Sequence, residues 1–364
     1  MRKKLSFYAF LSLTLWCVNV ASATEQEPVQ TEHKQITNAE DFGFSSEQLL
    51  LLGEFLEQAG SSALLILRHG QEVYRWGAVE QKHVIHSMRK PLINALYGKY
   101  VNQGVIDIDA SLADYDIDDI PPELSALERS AKVSDVLKSR SGVYHNAAAN
   151  SPGMIRHRPE RNTYSPGEHF FYNNWDFNLL GALLEQETGK SIFTLFLDDI
   201  AIPLGMTDYK GEFTRIDGED PSAVIPHTDG FYQVESSKSQ YPAYHFRMSA
   251  RDLSKFGQLY LNMGQWDGKQ IIPSDWIEKS TQAYSVINPE YGIGYGMLWN
   301  VLMKTPRREH SAFFHTGTNV HFLGVYPHSD IVIVHRVDTE KPYSFNQQDF
   351  NQLISKVWAA YADE

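Results

Sequence analysis

The spacing of apolar residues predicts strands towards both ends of the chain and helices between them. Ser45 precedes leucine and phenylalanine residues that recur at helical spacing up to Gly60, as in an amphipathic helix with an N-cap. Two apolar runs, at residues 63–67 and 73–76, flank a His-Gly turn and are expected to be strands. The last third predicts strands at residues 297–302, 312–315, 321–326 and 331–337 and a final helix at residues 346–361.

The middle of the chain predicts mostly helices. The segment from Ser87 to Val101 has helical spacing, and Pro91 is tolerated only in the first turn of a helix, so Ser87 is expected at the N-terminal end. A strongly amphipathic helix is expected from Asn174 to Thr188. Residues 227–246 are polar and aromatic with little periodicity, which predicts a lid or a substrate-binding loop. Shorter elements are expected at residues 133–137 (helix), before 200 (helix), 249–263 (helix), 264–272 (hairpin) and from 273 (helix).

These elements favour an α/β protein of the α+β type. An antiparallel sheet made from the N- and C-terminal thirds would be flanked by helices, with a mostly helical region inserted between the two thirds. We expect one domain over residues 43–362, consisting of a sheet lobe (43–86 and 287–362) and a helical lobe (87–286). A functional site is expected in the cleft between these lobes.

The first 23 residues have the pattern of a secretory signal peptide. Three basic residues precede a mostly apolar run and then Ala21-Ser22-Ala23, a small-x-small cleavage sequence. The alternative is an uncleaved membrane anchor, although the run is short for a membrane span. We expect cleavage after Ala23, a polar linker at residues 24–42, and a periplasmic or secreted protein without another apolar run of membrane length.

Composition and charge narrow the classes of function. Hydrophobic residues make up 42% of the chain and charged residues 21%, as in globular proteins. Cys17 is the only cysteine among 364 residues and lies in the predicted signal peptide, which excludes a disulfide framework and a cysteine nucleophile from the mature chain. The net charge is −13, or −16 without the three basic residues of the predicted signal peptide, which disfavours nucleic acid and anionic lipid as partners.

No cofactor or metal is predicted from the sequence. The chain has no glycine-rich phosphate loop. His83 and His86 have a spacing that could hold a metal, but no third ligand is placed by spacing. The aspartates within residues 107–119 lack the spacing of a calcium loop, so a solvated acidic turn is the simpler interpretation.

Ser87 and Lys90 are the first candidates for chemistry. Residues three positions apart share a face of a helix, so the hydroxyl and the amine can meet. A lysine in a desolvated cleft can lose its proton and then accept one from a serine. The alternative is a helix start with an exposed lysine, and the spacing alone does not choose between the two.

Two further segments could complete such a site. Tyr172 could relay a proton to a leaving group, and Asn174 could cap the next helix or offer its amide to a substrate carbonyl. His315, Gly317 and Thr318 lie in the strand region, where a glycine permits close approach of a substrate and the next amide could bind an oxyanion. The structural alternatives are a buried tyrosine beside a helix cap and a bulge in a core strand.

Three motifs resemble, in order and rough spacing, those of the serine β-lactamase-like hydrolases: Ser87-x-x-Lys90, Tyr172-x-Asn174 and His315-Thr316-Gly317. That family includes class C β-lactamases, penicillin-binding D-alanyl peptidases, D-aminopeptidases, 6-aminohexanoate-dimer hydrolase and related esterases. Residues 137–143 resemble its Leu-Thr-His-Thr-Ser-Gly-Leu turn, with Arg140 in place of a threonine. Residues 178–207 resemble its helix pair and Pro-Leu-Gly-Met turn, and the resemblance covers roughly residues 40–362.

The resemblance implies a role for each site residue. Ser87 would be the acylated nucleophile, Lys90 and Tyr172 would share the base and acid roles, and Asn174 would orient the substrate. The amides of Ser87 and Thr318 would form the oxyanion hole. The implied activity is that of an exported serine hydrolase that cleaves a small ester, amide or short peptide through an acyl-enzyme.

His315, which would line the pocket on the sheet side, is the main departure from the family pattern. The β-lactamases and peptidases of the family usually have a lysine there, which helps to hold a substrate carboxylate, whereas histidine is mostly neutral at pH 7. This departure favours an esterase or amidase with a less acidic substrate. The alternatives are a class C-like β-lactamase, a D-alanyl or D-amino-acid peptidase, and a non-catalytic module that binds cell-wall peptide or a protein on the same scaffold. The sequence indicates no oligomeric state.

Overall fold

The computed structural model describes residues 39–361, and the predicted signal peptide (1–23) and most of the predicted linker (24–42) lie outside this range. Residues Ala39–Phe42, at the end of the predicted linker, form a turn of 3-10 helix in which Ala39 is buried. No helix of the described range is long and apolar enough to cross a membrane.

The helices follow the predicted apolar spacing. Ser45 caps the first helix by accepting a hydrogen bond from the Gln48 amide, and Gly60 ends it with φ of +77°. The helices are α1 (Ser46–Ala59), α2 (Arg89–Asn102), α3 (Ala126–Arg129), α4 (Val133–Leu137), α5 (Pro152–His157), α6 (Asn174–Thr188), α7 (Ile192–Phe196), α8 (Ala250–Leu261), α9 (Ser274–Ser280) and α10 (Gln347–Ala360). A π-helical turn, Leu197–Ala201, continues α7.

Strands occur in both outer thirds of the chain and also within the middle third. They are β1 (Ala63–Arg68), β2 (Gln71–Gly77), β3 (His83–Val84), β4 (Phe213–Asp217), β5 (Gly230–Val234), β6 (Ala243–Met248), β7 (Gln265–Trp266), β8 (Lys269–Gln270), β9 (Ser285–Asn288), β10 (Ile293–Tyr295), β11 (Asn300–Leu302), β12 (Ala312–Gly317), β13 (His321–Tyr326) and β14 (Ile331–Arg336). The predicted hairpin at 264–272 is β7 and β8.

One eight-stranded antiparallel sheet unites the two ends of the chain, which confirms the predicted fold class. Its strand order is β2-β1-β14-β13-β12-β11-β10-β9, with the N-terminal strands on one side. Alternate residues of β1 serve two different cores, because successive side chains of a strand point to opposite faces. Leu64 and Ile66 pack in the core that includes α1 and α10, while Leu65 and Leu67 pack in the core with α2 and α8.

The helix α8 lies against the sheet although the sequence assigned it to the helical lobe. It contacts β1, β13 and β14. Gly257 makes this close approach possible, because a β-carbon at that position would collide with the side chain of Val332. The sheet is therefore covered on both faces by helices.

The predicted lid at residues 227–246 is instead part of a small sheet, and this expectation was wrong. The sheet has the order β3-β6-β5-β4 and therefore includes strands β5 and β6. Its aromatic residues are buried: Phe246 packs at 4.8 Å and Tyr232 at 5.0 Å, centre to centre, from the ring of Phe193. The segment is therefore not a loop, although its His245 lines the pocket that contains Ser87. The polar turn between the two short strands hides the strand periodicity in the sequence.

Candidate active site

Ser87 lies in a short turn that leads directly into α2. The turn, His86–Met88, is a 3-10 helix, and His86 has a left-handed backbone with φ of +49°. A non-glycine residue in this region is uncommon and indicates local strain, which persists where the surrounding structure enforces it. Because the turn and α2 are continuous, Lys90 lies one helical turn beyond Ser87 on the same face, and its Nζ is 3.0 Å from Ser87 Oγ.

The Lys90 amine is fully buried among aromatic rings. Its Nζ lies 4.8 Å from the ring centre of Tyr172 and 4.3 Å from that of Phe177. No carboxylate of the described chain forms an ion pair with it. Burial lowers the pKa of Lys90 well below 10.5, and the positive charge of Arg89 lowers it further. Lys90 can therefore be neutral and accept a proton.

Tyr172 comes to the same place from the segment before α6. Its side chain lines the same pocket as Ser87, close enough for Ser87 to influence the phenol, and its ring makes an edge contact with Phe177 at 4.7 Å. Burial raises the pKa of Tyr172 to about 12, although Ser87 and Arg89 oppose this shift. The phenol therefore keeps its proton at neutral pH and can donate it. The structure thus brings Ser87, Lys90 and Tyr172 together.

Asn173, rather than Asn174, caps the helix that follows Tyr172. The Asn173 side chain accepts a hydrogen bond from the Trp175 amide at 3.1 Å and donates to the Val143 carbonyl at 2.7 Å. Asn174 is the first residue of α6, and its Nδ2 donates to the Ala149 carbonyl at 2.6 Å. Its side chain lines the pocket beside Ser87.

Arg140, the departure from the family turn, holds the segment that leads to Tyr172. Its Nε and Nη2 donate to the Gly167 carbonyl at 2.8 and 2.5 Å, and its Nη1 donates to the Tyr284 carbonyl at 2.8 Å. A threonine could not reach both carbonyls. The arginine therefore acts as a positioning residue, a role that could not be read from the sequence because its partners are backbone atoms of segments distant from it in the chain.

The end of β12 forms the opposite wall of the site. Gly317 packs against the backbone of Ile85, close to the turn that carries Ser87. Thr318 follows with φ of +47°, a strained conformation for a β-branched residue. The neighbouring strand β11 pairs with β12 only as far as Phe314, so the edge beyond it is unpaired on that side within the described chain.

His315 lies on this wall as a neutral side chain. It is 1% exposed, and burial lowers the pKa of His315 to about 3, with Lys90 adding to the shift. Its Nδ1 donates to the Thr316 carbonyl at 2.8 Å. In the described chain its Nε2 has no hydrogen-bond partner, so that nitrogen is a free acceptor and not a cation.

These residues surround a pocket of about 590 Å³. Five of the seven predicted site residues line it: Ser87, Tyr172, Asn174, His315 and Thr318. Lys90 and Gly317 lie behind its wall and act through their neighbours. Further lining residues were not predicted: His86, Arg89, His245, Asn300, Asn319 and parts of the loop around residues 149–154. A larger groove of about 860 Å³ does not include Ser87.

The two histidines considered as metal ligands do not act as a pair. His83 lies near Asp338 and Glu340, with ligand atoms within 4.8 Å of one another. Glu340 is already paired with Arg247, whose Nη2 is 2.6 Å from the carboxylate. His86 instead hydrogen-bonds the Thr339 hydroxyl at 2.8 Å. We assign no metal to these residues.

The fold and the family of this chain are those of serine hydrolases. The chain belongs to the beta-lactamase family, because the family model of that description matches residues 51–354. A protein of Escherichia coli (strain K12), named "Putative D-alanyl-D-alanine carboxypeptidase", is 23% identical over 403 aligned positions. That alignment covers 92% of this chain and 91% of the relative.

Solved structures show the same fold at low sequence identity. EstCE1, described as a hydrolase with promiscuous acyltransferase activity, superposes with a TM-score of 0.62 at 16% identity over 88% of this chain and 99% of its own. The D-alanine carboxypeptidase AmpC from Burkholderia cenocepacia superposes with a TM-score of 0.58 at 16% identity over 87% of this chain and 99% of its own. These neighbours share the fold, and the match to the family model confirms the family resemblance noted in the sequence.

Proposed function

We propose that the protein is an exported serine hydrolase that cleaves a carboxylic ester or amide through an acyl-enzyme on Ser87. The observation that carries this proposal is the 3.0 Å distance between Ser87 Oγ and the buried amine of Lys90. A lysine with a pKa well below 10.5 can take the serine proton, which makes the oxygen a nucleophile. No cofactor is needed for this chemistry.

The acylation step uses three side chains in turn. Lys90 Nζ accepts the Ser87 proton while Ser87 Oγ forms a bond to the substrate carbonyl carbon. Tyr172 then gives its proton to the leaving oxygen or nitrogen as the bond to the carbonyl breaks, and the phenol regains a proton from Lys90. Water hydrolyses the resulting ester of Ser87 by the reverse sequence of proton transfers.

The oxyanion of the tetrahedral intermediate would bind the amides of Ser87 and Thr318. Both residues line the pocket, and two of its strained backbone positions, His86 and Thr318, lie at these amides. Such strain is typical of backbone groups held in place for catalysis. Asn174 would orient the substrate from the helical side, and the free Nε2 of His315 would accept a hydrogen bond from the sheet side.

Hydrolysis of p-nitrophenyl butyrate and of a chromogenic cephalosporin by wild type and Ser87→Ala tests the proposal. We expect the wild type to cleave the ester and the variant to be inactive, with mass spectrometry of quenched wild type showing an added butyryl group. Ester turnover that survives in Ser87→Ala would overturn the proposal. Stable substrate binding without turnover, unaffected by Ser87→Ala, would instead indicate a binding module.

A β-lactamase or a D-alanyl peptidase is the second candidate activity. The D-alanyl-D-alanine carboxypeptidase name of the Escherichia coli relative supports it. Turnover of the cephalosporin, or release of D-alanine from a D-alanyl-D-alanine peptide, would select it over a simple esterase.

Export remains part of the proposal because it depends on the sequence of residues 1–23. N-terminal sequencing of the mature protein and fractionation of cells test it. We expect a chain beginning at Thr24 in the periplasm or the medium. A full-length chain in the cytoplasm would contradict it.

A further inference from the structure

A buried guanidinium lies in the wall of the pocket and is not used by the proposed reaction. Arg89 is only 4% exposed, yet it is one of the residues that line the pocket, together with Ser87 and Tyr172. In the described chain, its Nε and Nη2 have no hydrogen-bond partner. Its central carbon lies 5.0 Å from the ring centre of Tyr244, a cation–π contact that leaves these two donors unused.

No negative group of the described chain balances this charge. The positive charge of Arg89 lowers the pKa of nearby tyrosine, histidine and lysine side chains: Tyr172, Tyr244, His86, His245, His315 and Lys90. Burial lowers the pKa of each of these three histidines and of Lys90, so the groups around Arg89 are mainly neutral. No Asp or Glu of residues 39–361 forms an ion pair with Arg89.

A buried, unpaired guanidinium is costly for a folded protein, because it has lost water without gaining an acceptor. The guanidinium group of arginine is a cation in proteins, so the cost is that of a buried charge. Its planar donors match the two oxygens of a carboxylate. The missing partner is therefore expected to arrive with a ligand of the pocket.

We propose that Arg89 binds a carboxylate carried by the substrate of Ser87. This inference rests on the proposed function, since it names the substrate class of the same site. It also reverses the sequence-based expectation of a less acidic substrate, which followed from the neutral residue at His315. Arg89 supplies the pocket with a cation on the helix side instead of the sheet side. This local positive charge offsets the long-range repulsion that a chain of net charge −13 exerts on anions.

Matched pairs of esters test this assignment. One pair places the carboxylate on the acyl side (mono-p-nitrophenyl adipate and its methyl ester). The other places it on the leaving group (3-carboxyphenyl butyrate and 3-carbamoylphenyl butyrate). We expect wild type to favour the carboxylate of at least one pair by about tenfold or more in kcat/KM, the size expected for a charge-assisted contact. Arg89→Gln should bring this ratio close to one, mainly through KM, while Arg89→Lys should retain part of it.

The ratio is informative even if Arg89→Gln alters the general rate through its effect on Lys90, because both members of a pair suffer alike. Arg75→Gln is the matched control, since that arginine is paired with Glu72 and Glu80 and does not line the pocket. A wild type without preference in either pair, or an unchanged ratio in Arg89→Gln, would overturn the proposal. If Arg89→Gln fails to fold, judged by its circular dichroism melting curve, the wild-type ratios and Arg89→Lys decide.

Binding to an inactive protein separates this inference from the proposed reaction. Calorimetry would measure adipate and adipamide binding to Ser87→Ala and to Ser87→Ala/Arg89→Gln. Adipate binding that exceeds adipamide binding and is lost in the double variant would support Arg89 even if no ester is hydrolysed. Equal binding of the two ligands, together with Ser87-dependent ester turnover, would support the proposed reaction and contradict the proposal that Arg89 binds a carboxylate.

Discussion

Gly317 packs so closely against Ile85 that a β-carbon on the glycine would collide with the Ile85 carbonyl oxygen. This contact joins the end of β12 to the turn that carries the nucleophile. It therefore sets the distance between the two amides proposed for the oxyanion hole. The glycine belongs to a sequence motif, but its function is spacing between two backbones.

Gly317→Ala should separate these backbones and weaken catalysis. We expect kcat to fall by about 10²-fold, similar to the loss of one oxyanion donor, because the Thr318 amide moves away from Ser87. Steady-state ester hydrolysis measures this. Gly104→Ala is the control, because Gly104 has a positive φ but open space around it, so this variant should lose only about 1 kcal/mol of stability. Equal effects of the two variants on kcat would contradict the spacing role.

Lys90→Met should abolish activity and stabilise the fold. The thioether fills similar space but cannot accept a proton, so we expect a loss of about 10²- to 10⁴-fold in kcat. Burial lowers the folded-state pKa of Lys90 below the 10.5 of the unfolded chain, so at pH 7 the charged amine is more stable in the unfolded chain, and this linkage opposes folding. The melting temperature of Lys90→Met at pH 7 should therefore rise. Lys99→Met is the control: Lys99 also lies on α2 but is paired with Asp199, so this variant should neither lower kcat nor raise the melting temperature.

Tyr172→Phe should reduce kcat by about 10²-fold while the protein keeps its fold, because only the donor hydroxyl is lost. The pH profile of the wild type should rise with a midpoint well below 10.5, as Lys90 loses its proton. It should not fall again before about pH 12, the pKa to which burial raises Tyr172. Tyr295→Phe removes another buried hydroxyl, 6.1 Å away between ring centres, and should leave kcat nearly unchanged. A similar loss in both variants would argue against a specific role for Tyr172.

Buried histidines should make the fold sensitive to acid. Burial lowers the pKa of His335 to about 3, and those of His83 and His86 to about 4, from 6.5. Below pH 6.5 the unfolded chain takes up protons that the folded chain excludes, so stability falls as the pH falls towards 4, by about 1.4 kcal/mol per pH unit for each such proton.

Thermal unfolding between pH 4.5 and 7.5 measures this dependence. His335→Gln should reduce the slope of stability against pH by the contribution of about one proton. The variant should keep its fold, because the glutamine amide can still donate to the Val320 carbonyl that Nδ1 of His335 contacts at 2.8 Å. His157→Gln, at an exposed histidine, should leave the slope as it is. A melting temperature that is constant from pH 7.5 to 4.5 would show that these histidines titrate equally in both states.

The parts of the fold that follow from local spacing were predictable. The helix over residues 174–188 matches its predicted range, because its apolar periodicity is strong and Gly189 ends it. Strands β5 and β6 were missed, because their packing depends on Phe193, a residue far from them in sequence. Tertiary contacts determine the structure of these two strands, and such contacts are not visible in the apolar spacing of the sequence.

The candidate site shows the same division between local and distant information. Ser87 and Lys90 could be placed together because they are three positions apart at the start of a helix. Arg89 stands between the two, but an arginine at a helix start is usually exposed, so its burial could not be read from the sequence. The Arg140 contacts were equally hidden, since they reach backbone atoms of two distant segments.

The pairing of β1 with β14 has a consequence for how the protein is made. Ala63 pairs with Arg336, so β1 can pair early with β2 on one side but lacks its partner on the other side until almost the whole chain has been synthesised. Such pairing gives a high contact order, which predicts slow folding. Ser87 and Lys90 are made early, but the wall that carries Gly317 and Thr318 is added late. A chain that stops before residue 312 would thus contain its nucleophile and its base without a complete reaction site. The hydrolase would therefore be inactive until its synthesis is almost complete.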